Sequence, residues 1–417
     1  MTKNENHSVW TAIMALVLAM GGASCNSSGR GEAGTAGRSA ATAPSASGTG
    51  GATSALTSAS PLQATGTMDF VTAVPLPLPK TPAYTAAQTT ADVANAINIL
   101  STAVNVTAGN ESGSKGAGTL LTEPLGVPLP RTENSASPLV AAPADSGTAG
   151  LAFSTARADL DPAPVNDQYP YRAAGKLFFN IENNSYICSA SLIKKGIAVT
   201  AAHCVSEFGR RKYYNGWQFV PGYSNGIAPY GAWSVSKAYI LPSYYDGTDE
   251  CAQSGVVCRD DVAVLVLTPK PGTDSQPHYA GEYTGWFAYG WNSEGFTPQG
   301  ITHVTQLGYP TCLDNGRFME RNDAQGVSSA QFSGNTVAGS LMCGGSSGGP
   351  WLINFGKQPQ LTGTALGFSP MPNEVIGVTS WGASDTSVKR MGASPFLDTN
   401  LPVLVNRACA DYPAACN

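Results

Sequence analysis

The stretch Gly175–Cys204, "GKLFFNIENNSYICSASLIKKGIAVTAAHC", decides the fold. It holds three short apolar runs, "GKLFFNI" (Gly175–Ile181), "ICSASLI" (Ile187–Ile193) and "GIAVTAA" (Gly196–Ala202), separated by polar turn residues. Runs of this length, rich in β-branched and aromatic residues, read as strands. The same texture returns at "VAVLVL" (Val262–Leu267), "WLINF" (Trp351–Phe355) and "EVIGVTSWG" (Glu374–Gly382). Many short strands with Gly and Pro between them, and few helical periods, predict an all-β barrel or sandwich. "TPKPGTDSQPHYAGE" (Thr268–Glu282) breaks the region, which predicts two β units at about 165–268 and 283–404.

Outside that region the chain is different. Residues 26–66 are Gly, Ser, Ala and Thr with little to bury, the composition of a flexible linker. Residues 67–165 carry two Pro-alternating echoes, "VPLPLPK" (Val74–Lys80) and "GVPLPR" (Gly126–Arg131), and a weakly amphipathic run, Ala91–Val106, that predicts one helix. The whole of 26–165 reads as a linker or pro-segment, and its composition favours a tether over a packed domain. Residues 1–25 read as an export signal: Lys3 precedes "TAIMALVLAM", and "GGAS" leads into Cys25. That apolar run is too short to span a bilayer. Two outcomes stay open, a secretory signal cut near Ala23 and a lipoprotein signal ending at a lipidated Cys25.

The totals exclude several classes. Of 417 residues, 12% are charged, roughly half the usual share, and net charge is −5. No basic footprint marks nucleic-acid binding, so the partners expected are protein or peptide substrates, with membrane contact only through an anchor at Cys25. A monomer is expected, either secreted or held at the surface of a bacterium. Nine cysteines are present, and all but Cys25 lie after residue 187. An even set in an exported chain predicts disulfides rather than zinc. Spacing pairs 251 with 258 and 409 with 416, which leaves 188, 204, 312 and 343. No metal site or cofactor motif is evident.

One segment asks for chemistry. "CGGSSGGP" (Cys343–Pro350) contains Gly345-Ser346-Ser347-Gly348-Gly349, a G-x-S-x-G pattern. A serine hydroxyl needs a base, and no histidine follows Ser347, which excludes the α/β-hydrolase order. His203 lies at the end of a β run in "VTAAHC", whereas His278 and His303 lie in loop-like text and read as surface residues. The base needs an orienting carboxylate. "RDDVAVLVLTP" offers Asp261 at the mouth of an apolar strand, with Asp260 expected on the solvent side.

"VTAAHC", then "DVAVLVL", then "GSSGGPWL" together resemble the chymotrypsin-like (trypsin-like) serine proteases over roughly residues 170–405. "CSASLI", "VPGYSNGIAPYGAW" and "GYP" look most like the bacterial branch that includes the glutamyl endopeptidases. The resemblance implies two antiparallel β-barrels within a protease domain spanning 166–417. It implies His203 as general base, Asp261 as its orienting group and Ser347 as nucleophile. The N–H groups of Gly345 and Ser347 would form the oxyanion hole, and Cys188 would pair with Cys204, which leaves 312 with 343. Leu341, Met342, Thr379, Ser380, Trp381 and Gly382 fall where the family lines its substrate site, with Ser380–Gly382 pairing antiparallel to substrate backbone.

Three positions depart from the family's better-known members. Ser346 stands where trypsin has an Asp that receives a cut amino terminus. Leu341 stands where trypsin has the Asp that holds basic side chains. Thr379 stands where glutamyl endopeptidases have a histidine. The implied preference is therefore for an apolar or small residue before the cut. Two other readings of the same fold stay open: an inactive binding module and an esterase.

Overall fold

The structure, a computed structural model, describes residues 57–59, 68–81, 107–128, 152–159, 164–298, 300–328, 330–357, 369, 371–383 and 388–417. The export signal with Cys25, and the helix expected over 91–106, lie outside the described residues.

Two closed antiparallel barrels of six strands each carry the molecule. The first comprises β1 (Ala174–Ile181), β2 (Asn184–Lys194), β3 (Ile197–Thr200), β4 (Asn215–Pro221), β5 (Trp233–Ile240) and β6 (Ala263–Leu267). Its bonded order is β5–β4–β1–β2–β3–β6, and β6 closes on β5. Leu177, Phe178 and Phe179 of β1 are all fully buried, because both faces of that strand are covered. Phe70, from the N-terminal region, packs edge-on against Phe178 with ring centroids 5.0 Å apart.

The second barrel comprises β7 (Ile301–Gly308), β8 (Glu320–Ser328), β9 (Thr336–Ala338), β10 (Pro350–Ile353), β11 (Glu374–Ala383) and β12 (Met391–Pro395). Its order is β10–β7–β8–β9–β12–β11, and β11 closes on β10. The all-β, two-barrel class expected from the sequence is therefore the observed one. Several strands were not legible as apolar runs. In β8 the inward residues Glu320 and Asn322 alternate with half-buried Arg321 and Asp323, a two-residue period written in polar letters.

A C-terminal helix, Leu401–Asp411, follows the second barrel and packs its Leu401, Leu404, Val405 and Ala408 into the first barrel's core. Asn400 caps it by accepting the Leu401 N–H at 2.5 Å. Four disulfides are present: Cys188–Cys204, Cys251–Cys258, Cys312–Cys343 and Cys409–Cys416. Among the described residues no helix is long and apolar enough to cross a membrane.

The described parts of 57–159 do not stand apart as a tether. Thr57–Ala59 pairs with β5, Val74–Pro75 with β2, Lys80–Thr81 with β11, Glu123–Pro124 with Ile227–Ala228, and Phe153–Arg157 with β8. Gly109–Glu111 pairs with the short strand Ala288–Trp291, which itself joins β11. Strand addition draws on backbone groups, so text poor in apolar residues can still supply it.

Candidate active site

The turn Ala202–Cys204 leaves β3 directly and carries His203. Cys204 is tied to Cys188 on β2, and its carbonyl accepts the Trp217 indole N–H at 3.2 Å. Asp261 precedes β6, the strand bonded to β3. Its Oδ1 accepts the His203 backbone N–H at 2.8 Å, and its Oδ2 lies 2.7 Å from His203 Nδ1. Ser380 Oγ, reaching across from the second barrel, donates to the same Oδ2 at 2.6 Å. Asp261 is 2% exposed, and three donors replace the water it has lost. A carboxylate can only accept, so Nδ1 carries the proton of this contact, and in the neutral tautomer that keeps it Nε2 is the acceptor.

Ser347 sits between β9 and β10 in a loop that neighbouring groups hold residue by residue. Ser346 Oγ donates to the Cys343 carbonyl at 2.7 Å. Thr311 N–H donates to the Gly344 carbonyl at 2.9 Å, Ser189 Oγ to that of Gly345 at 2.8 Å, and Ser189 N–H to that of Ser347 at 2.7 Å. Gly348 exchanges the loop's far side with β11 by donating to Thr379 O at 2.8 Å. Gly345 has φ +98°, and a Cβ there would stand 2.4 Å from the Tyr309 carbonyl. Gly348 has φ +76°, and a Cβ there would meet Thr200 Oγ1 at 2.0 Å and Ala201 N at 2.8 Å. The serine loop therefore seats on the end of β3, just ahead of His203. Side chains at either glycine would force these segments apart.

Two buried residues of this loop, Gly345 and Ser347, keep a free backbone donor. Among the described residues, neither the Gly345 N–H nor the Ser347 N–H donates a hydrogen bond. Two side-chain atoms are likewise without a partner: Ser347 Oγ and His203 Nε2 are both buried, and no hydrogen bond joins them. Cys188 and Cys204 cluster with His203 but are bonded to each other, so they offer no thiolates to a metal.

A model of the family described as "Trypsin" matches residues 162–396. The chain belongs to the trypsin family. The fold of this trypsin-family chain resembles several solved structures. The protease Anisep from Arthrobacter nicotinovorans is 24% identical, with 57% of this chain and 96% of that one covered and a TM-score of 0.44. The thermostable serine protease AL20 from an extremophilic microorganism is 20% identical, covering 57% and 97%, with a TM-score of 0.45. A Glu endopeptidase in complex with MPD is 17% identical, covering 61% and 96%, with a TM-score of 0.43. No curated protein matches the sequence.

The residues expected to line the substrate site are largely engaged within this trypsin-family fold. Thr379 Oγ1 accepts from Gln306 Nε2 at 3.0 Å and Trp351 Nε1 at 2.9 Å. Trp381 is fully buried, donates from Nε1 to Asn335 Oδ1 at 2.8 Å and packs on Phe332. Leu341 is half-buried, and Met342 is buried in the second barrel's apolar cluster. Gly382 N–H donates to Pro79 O at 2.8 Å, so a residue of the N-terminal region already occupies that edge of β11.

Some residues of the site escaped the sequence reading. Ser380 was expected to act through its backbone, whereas its hydroxyl braces Asp261. Ser189, in "CSASLI", braces the serine loop. Asp260 was placed on the solvent side, but it is buried: it accepts Ser243 Oγ at 2.7 Å and gives its N–H to Asp249 Oδ2 at 2.7 Å. Burial, then the neighbouring Asp260, pushes the Asp249 carboxyl up to about 7. His278 is partly buried between Glu282 and Asp274, and hydrogen bonding first to Glu282 raises its pKa. His303 is exposed on β7.

Proposed function

We propose that the chain is an exported serine endopeptidase in which Ser347 is the nucleophile, His203 the general base and Asp261 the group that orients it. One observation carries the reading: the hydroxyl of Ser347 and the Nε2 of His203, a donor and an acceptor, are both buried and both unpartnered, and the buried Gly345 and Ser347 of the serine loop keep their N–H groups free. Other buried atoms of the described residues lack partners too; this pair is set apart because Gly348 seats the serine loop on Thr200 and Ala201, just ahead of His203. Catalytic hydrogen bonds are often long until substrate arrives.

Ser347 Oγ gives its proton to Nε2 and bonds to the peptide carbonyl carbon. The oxygen becomes an oxyanion received by the N–H groups of Gly345 and Ser347. His203 then passes the proton to the departing amine as the C–N bond breaks, which leaves an acyl-enzyme. Water then gives a proton to His203 and bonds to the acyl carbon, and His203 returns that proton to Ser347 Oγ as the Oγ–C bond breaks. Asp261, held by Ser380, fixes the tautomer and stabilises the imidazolium that forms twice. The Leu341–Met342 region supports a preference for an apolar or small residue before the cut. Export is supported by the N-terminal signal text and by four disulfides, with the chain either secreted or anchored at Cys25.

The test is labelling with a fluorophosphonate after activation by limited proteolysis, beside Ser347→Ala. Labelling that the substitution abolishes, together with cleavage of a peptide library, is expected. A folded, disulfide-intact protein that never labels would be a binding module. Ester turnover without peptide cleavage would make it an esterase. Mass spectrometry of the exported protein reads out its amino terminus and any lipid on Cys25.

A further inference from the structure

The segment "VPLPLPKT" (Val74–Thr81) runs from one barrel to the other across the serine loop. At its start Val74 and Pro75 pair in parallel with Tyr186 and Ile187 of β2, and Leu76 N–H donates to Ile187 O at 3.1 Å. At its end Lys80 and Thr81 pair in parallel with Gly382 and Ala383 of β11. Between these anchors it passes Gly344: Leu76 O, Pro75 Cβ and Leu78 N lie 3.4, 3.6 and 3.7 Å from where a Cβ on that glycine would stand. Leu78 is 6% exposed, joins the apolar cluster that holds Met342 and Met391, and lies against Gly382. Ser347 itself is 0% exposed.

We propose that Val74–Thr81 is a built-in inhibitor of the site, laid across it in reversed chain direction, and that its removal releases activity. The proposal rests on the protease reading above. A substrate in that reading runs antiparallel to Ser380–Gly382, whereas this segment runs parallel to the same edge. A carbonyl of this segment presented to Ser347 would therefore have its amine and acid sides exchanged. The bonds that follow Val74, Leu76 and Leu78 all lead into proline, which carries no N–H and restricts the residue before it. Leu78 fills apolar space while the backbone around it resists cleavage. All eight cysteines beyond residue 187 pair among themselves, so no disulfide ties the segment to either barrel. A cut after Thr81 would leave it held by non-covalent contacts alone.

The test uses the full exported chain, with Leu78→Asp and Leu76→Pro as two separate variants. The first places a charge in the apolar site. The second removes the N–H that Ile187 receives. Circular dichroism and melting establish that each folds. Fluorophosphonate labelling and casein hydrolysis are expected to rise about tenfold or more in both, as closed molecules become open ones. A synthetic peptide of residues 68–81 should return the Leu78→Asp variant to the slow rate and be recovered uncut. Equal rates in wild type and both variants, or cleavage of that peptide, would overturn the proposal. Anisotropy of the fluorescein-labelled peptide on a Leu78→Asp, Ser347→Ala chain separates the two readings. Binding there with no labelling in any Ser347 form overturns the protease reading and inhibition with it. Absence of binding, with labelling intact, overturns the inhibitor alone.

Discussion

Gly345→Ala tests the oxyanion geometry most directly. The new methyl would stand 2.4 Å from the Tyr309 carbonyl, where ordinary contact begins at 3.4 Å. Tyr309 cannot easily yield, because its N–H is bonded to Ser189 Oγ at 3.0 Å and its hydroxyl to Tyr223 O at 2.8 Å. The loop must therefore retreat by about 1 Å, and misplacement of that size can cost about a hundredfold in rate. Loss of the Gly345 N–H as an oxyanion donor costs about 3–4 kcal/mol of barrier, or 10²–10³ in kcat. The φ of +98° adds about 1–2 kcal/mol of strain to the folded state. Gly334→Ala separates these effects, since Gly334 has φ +76° and nothing within 4 Å of an added Cβ. That control should lose comparable stability and keep its activity. The assay is kcat and KM on a peptide substrate after activation, with urea midpoints for both variants. Gly345→Ala retaining more than about a third of wild-type kcat would refute the assignment of that N–H, because no donor loss is that small.

Two further outcomes are expected. Ser380→Ala removes one of three donors to Asp261 and should lower kcat roughly ten- to a hundredfold with KM little changed, since hydrogen bonds to charged groups contribute about 1.5–3 kcal/mol; a change within about twofold in steady-state kinetics would contradict the bracing role. Burial pushes the Glu374 carboxyl up to about 7, and the stabilisation of its protonated form is present below its ordinary 4.5 and lost as pH rises through about 7. Wild type should therefore be less stable at about pH 8 than at about pH 5, and Glu374→Gln, which keeps an acceptor for Ser369 Oγ, should reduce that fall by on the order of 2–3 kcal/mol in urea midpoints; an unchanged pH dependence would count against it.

The two-barrel fold was legible where strands are apolar on both faces, as at β1, β2, β3, β6 and β11. It was hidden where inward positions are polar. Gln306 on β7 is fully buried because its amide donates to Thr379 Oγ1 and its carbonyl accepts Ser340 Oγ at 2.9 Å. Nothing in "ITHVTQLG" announces that network. The C-terminal helix was readable in principle: Leu401, Leu404, Val405 and Ala408 follow a helical period, but Pro402 and the preceding strand text masked it. The placement of Asp260 failed for a different reason. Its burial depends on Ser243 and Asp249, which come from a separate loop, and no local pattern encodes that meeting. The inhibitory segment was the least legible feature, because its pairing is made by backbone groups.

The departure at Ser346 bears on how such a site is kept silent. In trypsin a cut amino terminus reaches the residue before the serine and sets the loop. Here Ser346 is fully buried and its hydroxyl closes locally on Cys343 O, so the loop draws its shape from its own residues. Cys343 is fixed in turn by Cys312, and Thr311 and Ser189 hold the next two carbonyls. With these carbonyls tied and the Gly345 and Ser347 N–H groups free, the donors proposed for an oxyanion are in position before any processing. A site assembled in this way cannot be restrained by leaving its loop unformed. Restraint has to act on access, which is the role a reversed segment across Gly344 can fill. It also explains why the segment pairs with both barrels: anchoring on β2 and β11 at once spans the site from its two sides, and losing either anchor opens it.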